Sequence, residues 1–215
     1  SKTVVPVIFN EGLWGVGTTM YSVFYGRMGD AAVAAMGVCT TINDLVWVAI
    51  FALMNATAII VGKALGAGDR ERAYLYAKRM MAGAVAAGVA LGLLVIAVRW
   101  PLVNIFSGLS YPVREKAQFI LMLGALTIWF RAFNTINIVG VLRSGGDTLF
   151  SLCLDVGTLW LVGVTSTGLA ALVFHWPLEW VYACTFLEEA VKMAVGIPHF
   201  KKKQWMNVLT EQPQG

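Results

Sequence analysis

Long runs of apolar residues, separated by short polar or basic segments, dominate the sequence. Each run holds roughly 20 or more residues, enough for a helix to cross the hydrocarbon core of a bilayer. Glycine, proline and charged residues separate the runs, as is typical of turns. The pattern therefore predicts an all-α integral membrane protein with six transmembrane helices. The predicted spans cover residues 4–26, 33–61, 80–98, 119–142, 149–174 and 178–197.

The composition favours the same class of protein. Hydrophobic residues make up 58% of the chain and charged residues only 13%, whereas a soluble domain carries about 25% charged residues. The net charge of +4 does not indicate a nucleic-acid partner, because the basic residues are dispersed among short loops. The sequence shows no catalytic triad, metal-ligand cluster or nucleotide-binding fingerprint, so we expect neither an enzyme nor a bound metal or cofactor.

The distribution of lysine and arginine predicts the orientation in the membrane. Basic residues concentrate on the side expected to be cytoplasmic. Those on that side are Lys2, Lys63, Arg70, Arg72, Lys78, Arg79, Arg143, Lys201, Lys202 and Lys203. We therefore expect a multi-pass protein of the cell (inner) membrane, with both ends cytoplasmic. Residues 1–209 form the predicted six-helix lobe and residues 210–215 a polar tail, and the chain is expected to be a piece of a longer protein.

An acidic residue inside the first apolar run is the leading candidate for function. Glu11 lies about two turns into the run, where hydrocarbon cannot solvate a carboxylate. Trp14 shares its helix face and Asn10 lies beside it. Pro6, one turn earlier, is expected to bend the helix. This arrangement predicts a site for a cation, a proton or a cationic substrate.

Two further spans carry polar residues at positions where a site is expected. Asp44 in the second span lies among threonine and asparagine residues. Arg131 and Asn134 share a face of the fourth span, with Asn137 one turn further along. Arg131 is too far from either end of its span to reach water, so it requires an anion. Glu11, Asp44 and an anionic substrate are the candidates, and a structural ion pair between helices is the alternative.

The last two spans contain charges with a simpler interpretation. Glu188 and Lys192 are four residues apart, with the acid first, which favours a pair within one helix. Asp155 is interpreted as a hydrogen-bonded structural acid near the cytoplasmic surface, and Glu189 has no local partner. In the third span, Ala84, Gly88 and Gly92 form a stripe of small residues where another helix can approach closely.

Three motifs, in this order along the chain, resemble the multidrug and toxic compound extrusion (MATE) transporters. They are Pro6 with Asn10, Glu11 and Trp14; residues 62–69 (GKALGAGD) with Ala73; and Arg143 with residues 146–148 (GDT), Asp155 and Trp160. The resemblance is to the carboxy-terminal half of such a protein, closest to the DNA-damage-inducible branch, and covers nearly the whole chain.

The resemblance implies one six-helix lobe of a twelve-helix antiporter that exports cationic or amphipathic compounds in exchange for H⁺ or Na⁺. Glu11 matches the acid of the seventh helix, which takes part in cation or substrate binding in related members. The fourth span departs from the pattern, because Arg131, Asn134 and Asn137 stand where one branch has an acid for sodium. Residues 165–168 lack the usual proline, so the bend expected there is missing.

The implied partners are membrane lipids, a cationic or amphipathic small molecule, and an amino-terminal six-helix lobe or a second copy of the chain. Two alternatives stay open. One is a flippase for a lipid-linked sugar, which requires a cationic cavity, although only Arg131 and Lys192 are basic within the spans. The other is an inactive or self-pairing six-helix module, with the small-residue stripe as its contact.

Overall fold

The computed structural model describes residues 4–106 and 108–207, with side chains from Ile8 onward. The described residues form six long helices, with no strand among them. The helices are α1 (Val4–Arg27), α2 (Asp30–Gly66), α3 (Arg70–Ile105), α4 (Tyr111–Arg143), α5 (Thr148–Val173) and α6 (Leu178–Lys201). The predicted polar tail, Lys2 and the side chain of Pro6 lie outside this description.

Three helices extend well beyond their predicted spans: α2 and α3 at both ends, and α4 at its start, which lies at Tyr111 instead of residue 119. α2 has 37 residues and α3 has 36, so each is about 55 Å long and exceeds the ~30 Å hydrocarbon core. The basic stretch after residue 69 forms the first turns of α3. Asp69 caps that helix by accepting a hydrogen bond from the backbone N–H of Arg72 at 2.9 Å.

Four of the described helices, α2 to α5, are long and apolar enough to cross a membrane. α4 and α5 are interrupted by π-helical turns at Ile136–Arg143, Leu159–Val164 and Leu169–Val173. In these turns the backbone bonds to the fifth residue along instead of the fourth, which changes the direction of the side chains that follow. The π-helical turns lie beside the polar residues of the lobe interior, including Asn137 and Asp155.

The small-residue stripe of α3 is the place where α4 packs most closely. A Cβ atom on Gly88 would collide with the backbone of Trp129, and one on Gly92 with the carbonyl oxygen of Ala125. The prediction of a close helix contact at this stripe is confirmed. The prediction that the stripe pairs with a second copy of the chain is wrong, however, because α4 of the same lobe already covers the stripe.

The turns and the C-terminal segment meet at one end of the lobe. Lys203 Nζ lies 2.9 Å from the carboxylate of Glu71 at the start of α3. Trp205 is fully buried and lies against Gly145 in the α4–α5 turn, and the Asn207 N–H donates to the Gly145 carbonyl at 2.9 Å. The end of α6 and the turns α2–α3 and α4–α5 therefore share the end at which most basic residues were predicted.

Candidate functional site

Glu11 lies on α1 with an accessible carboxylate. Its side chain is 58% exposed, and Oε1 accepts a hydrogen bond from Arg143 Nη1 at 2.9 Å. Glu11 was one of the candidate partners of Arg131, but it pairs with Arg143 instead. Arg143 takes that place because it stands at the end of α4, where its long side chain reaches across to α1.

Asn10 connects this exposed pair with the lobe interior. The residue is 2% exposed, and its Nδ2 lies 3.5 Å from Glu11 Oε1 and 3.5 Å from Asp155 Oδ2. Its Oδ1 is buried and has no hydrogen-bond partner. Trp14, one turn along α1, is 42% exposed on the surface of the lobe. The structure thus brings Asn10 next to Glu11, as the sequence pattern predicts.

Arg131 is held by an acid of α6. Its Nε lies 3.5 Å from Glu189 Oε1, and its guanidinium carbon lies 5.6 Å from the centre of the Trp47 ring. The expectation that Glu11 or Asp44 balances Arg131 is therefore wrong. The alternative of a structural ion pair between helices describes this contact.

Glu189, which had no partner in the sequence interpretation, has two. Besides Arg131, it interacts with the amide of Asn134, whose Nδ2 donates to the Glu189 carboxylate at 2.8 Å and to its backbone carbonyl at 2.9 Å. Arg131 and Asn134 share a face of α4 and both turn toward α6. The available signal was that Glu189 is an intramembrane acid whose nearest base, Lys192, was already assigned to Glu188.

The remaining two predicted residues lie apart from these groups. Asp44 is exposed on α2. Asn137 is fully buried in a π-helical turn of α4, and neither polar atom of its side chain has a hydrogen-bond partner. Gly196 leaves room for its amide, since a Cβ there would collide with Nδ2. The predicted site residues are thus distributed over several places and do not form a single cluster.

A cluster of three buried charges is the feature that the sequence interpretation missed. Lys192 Nζ lies 2.6 Å from Glu188 Oε1 and 2.8 Å from Asp155 Oδ1. The Glu188–Lys192 pair was predicted and is confirmed. Asp155, predicted as a hydrogen-bonded structural acid near the cytoplasmic surface, is a largely buried partner in an ion pair with Lys192. Tyr21 of α1 completes the cluster by donating its hydroxyl to Glu188 Oε2 at 2.7 Å.

Together these contacts make a continuous polar path through α4, α1, α5 and α6. It begins at the Arg143–Glu11 pair, passes through Asn10 to Asp155, and ends at Lys192, Glu188 and Tyr21. Trp160 Nε1 fastens α5 to α1 beside this path by donating to the Leu13 carbonyl at 3.2 Å. An arrangement of this kind can bind a small cation or a proton at one end and transmit the change to the other.

The fold is that of one half of a membrane transporter. The chain resembles a Vibrio cholerae MATE transporter, VcmN, with a TM-score of 0.87 and 20% sequence identity over 97% of this chain and 47% of that one. It also resembles a MOP superfamily transporter from Pyrococcus furiosus, with a TM-score of 0.81 and 15% identity, covering 96% of this chain and 45% of that one.

The sequence comparisons agree with the fold. The family model described as MatE matches residues 6–164. Protein DETOXIFICATION 16 of Arabidopsis thaliana is 26% identical over 145 residues, which cover 66% of this chain and 29% of that protein. The chain belongs to the MatE family and is a multi-pass membrane protein. It spans less than half the length of the relatives that it matches.

Proposed function

We propose that this chain is one half of a secondary antiporter that exports cationic or amphipathic compounds in exchange for H⁺ or Na⁺. The observation that carries the proposal is the accessible carboxylate of Glu11, whose side chain is 58% exposed on the lobe surface. Hydrocarbon cannot solvate that group, so Glu11 requires a wet, protein-lined surrounding. A cavity between this lobe and a second one meets that requirement.

The Arg143 contact leaves Glu11 available for cations. An ion pair with this much exposure is worth only about 0–1 kcal/mol, so a proton, a sodium ion or a cationic substrate can compete with the guanidinium. If a single carboxylate accepts either the coupling ion or the substrate, binding of one releases the other. This competition, combined with alternating access of the cavity, produces exchange.

The second lobe is proposed on the basis of length. Because the chain covers less than half of the matching transporters, an amino-terminal six-helix lobe is the expected partner. We place the complete protein in the inner membrane, with both ends of this lobe cytoplasmic and no cofactor besides the coupling ion. Motifs that include residues 146–148 favour the DNA-damage-inducible branch of the family.

The alternatives gain less support. A flippase for a lipid-linked sugar needs free positive charge to bind phosphate. The two basic residues inside the predicted spans, Arg131 and Lys192, are both neutralised by acids. A self-pairing module loses its proposed contact, because Gly88 and Gly92 are covered by α4.

Reconstitution in liposomes tests the proposal. The chain, alone and joined to its amino-terminal half, is supplied with a fluorescent organic cation under an imposed H⁺ or Na⁺ gradient. We expect uphill movement of the cation with the complete protein when one of the gradients is present, and none when both are dissipated. Gradient-independent movement, or movement of lipid-linked sugars only, would contradict the antiporter function.

A further inference from the structure

The buried cluster of Asp155, Glu188 and Lys192 has one negative charge too many. The side chains are 13%, 7% and 7% exposed, and when all three are ionised the cluster carries a net charge of −1. Burial of an uncompensated charge in a low-dielectric interior is costly. Uptake of one proton removes this excess and leaves one neutral acid beside one ion pair.

The two acids of the cluster are not equally well satisfied. Glu188 accepts a short hydrogen bond at each oxygen, from Lys192 at 2.6 Å and from Tyr21 at 2.7 Å. Asp155 has one short contact, to Lys192 at 2.8 Å, while its second oxygen has only the Asn10 amide at 3.5 Å. Hydrogen bonds to a carboxylate stabilise its ionised form. Oδ2 of Asp155 is therefore the least satisfied carboxylate oxygen of the cluster.

Asn10 offers an acceptor for that proton. Its Oδ1 is buried without a hydrogen-bond partner in a residue that is 2% exposed, and an amide carbonyl oxygen is a good acceptor. When Asp155 is ionised, Nδ2 of Asn10 faces it. When Asp155 is protonated, rotation of the amide by half a turn presents Oδ1 instead, so that the new O–H group donates to an atom that was unpaired.

We propose that Asp155 is a reversible proton-binding site of this lobe, and that Asn10 is the positioning residue that links its protonation to Glu11. The proton comes from water and bonds to Asp155 Oδ2; no other covalent bond changes, and the cluster goes from a charge of −1 to neutral. Rotation of the Asn10 amide withdraws Nδ2 from Glu11 Oε1, which it approaches at 3.5 Å in the ionised form. The link to transport rests on the proposed function, whereas the proton binding does not.

The charged and titratable groups around Asp155 come from three helices. The groups from α1 and α6 are next to the cluster. The two arginines from α4 each pair with an acid outside it, Arg131 with Glu189 and Arg143 with Glu11. The full set is Glu11 and Tyr21 from α1, Glu188, Glu189 and Lys192 from α6, and Arg131 and Arg143 from α4. Glu189 follows Glu188 directly but balances Arg131.

Infrared difference spectroscopy of the reconstituted complete protein tests the proposal. A protonated carboxylic acid has a carbonyl stretching band well separated from that of a carboxylate. Exposed carboxylates also gain protons as the pH is lowered, so we expect this band to be diminished, not lost, in Asp155→Asn. A band of undiminished size in Asp155→Asn, or no such band in the unsubstituted protein, overturns the proposal.

A second variant tests the proton-binding site if Asp155→Asn does not fold. Asn10→Leu keeps Asp155 but removes a full hydrogen bond from its protonated form and only a 3.5 Å contact from its ionised form. We therefore expect the band to remain and the proton affinity to fall roughly threefold to tenfold, as for the loss of one hydrogen bond. An unchanged affinity overturns the role of Asn10 and the link to Glu11. If the band behaves as expected while reconstituted protein moves no cation, the antiporter function fails and the proton site stands.

Discussion

Glu188 and Glu189 are consecutive in α6, yet their carboxylates belong to different ion pairs. Glu188 lies 2.6 Å from Lys192 in its own helix, whereas Glu189 faces Arg131 of α4 at 3.5 Å. Successive residues of an α-helix point about 100° apart. One helix therefore turns one acid toward α1 and α5 and the other toward α4, so that α6 is joined by charged contacts to three neighbours.

Removal of Lys192 is expected to be strongly destabilising. Lys192→Met leaves Asp155 and Glu188 buried beside each other without a cation, and loss of one partner from a buried ion pair typically costs about 3–5 kcal/mol. Thermal unfolding in detergent measures the effect. The matched control is Lys201→Met, at the exposed end of the same helix, which we expect to unfold close to the temperature of the unsubstituted protein. Equal unfolding temperatures for the two variants would contradict the cluster.

The Arg131–Glu189 pair is expected to be energetically coupled. Arg131→Met leaves a largely buried acid, and Glu189→Met leaves a cation whose side chain is only 30% exposed. The double variant leaves neither, so the losses of stability should not add. We expect a coupling energy of about 1–2 kcal/mol between the two sites. A double-mutant cycle in thermal or denaturant unfolding measures it, and strictly additive losses would show that the contact does not stabilise the lobe.

Substitution of two glycines in α3 should have opposite effects. Gly83 faces open space, so Gly83→Ala is expected to stabilise the helix by up to about 1 kcal/mol. Gly88→Ala places a methyl group against the backbone of Trp129 and should separate α3 from α4. Unfolding temperatures compare the two variants directly. If Gly88→Ala were as stable as Gly83→Ala, the close packing of α3 on α4 would be wrong.

The six helices could be predicted because each needs about 20 consecutive apolar residues, a signal that single positions do not obscure. The ends of α2 and α3 and the start of α4 could not, since the charged residues that mark the edge of the membrane do not stop a helix. Arg70 and Arg72 are exposed at the start of α3 yet belong to it. Charge patterns therefore locate the membrane boundary more readily than the helix boundary.

Within the candidate site, only contacts that are local in sequence could be predicted. Glu188 and Lys192 are one turn apart, and their pairing follows from helix geometry alone. Glu11 and Arg143 are separated by 132 positions, and their contact depends on how α4 packs against α1. The same holds for the partner of Arg131. The sequence identified residues that require a partner, but tertiary packing decides which partner each receives.

The role of Glu11 is tested most directly by the rate of cation export after its charge is removed. In the complete protein, Glu11→Gln keeps the size of the side chain and a hydrogen-bond acceptor for Arg143, so insertion into the membrane should be unaffected. Glu71→Gln is the control, because Glu71 is also an acid in an ion pair across the lobe, with a side chain that is 83% exposed. We predict that gradient-driven export is abolished in Glu11→Gln and retained in Glu71→Gln. Export at the unsubstituted rate in Glu11→Gln would contradict the proposed site.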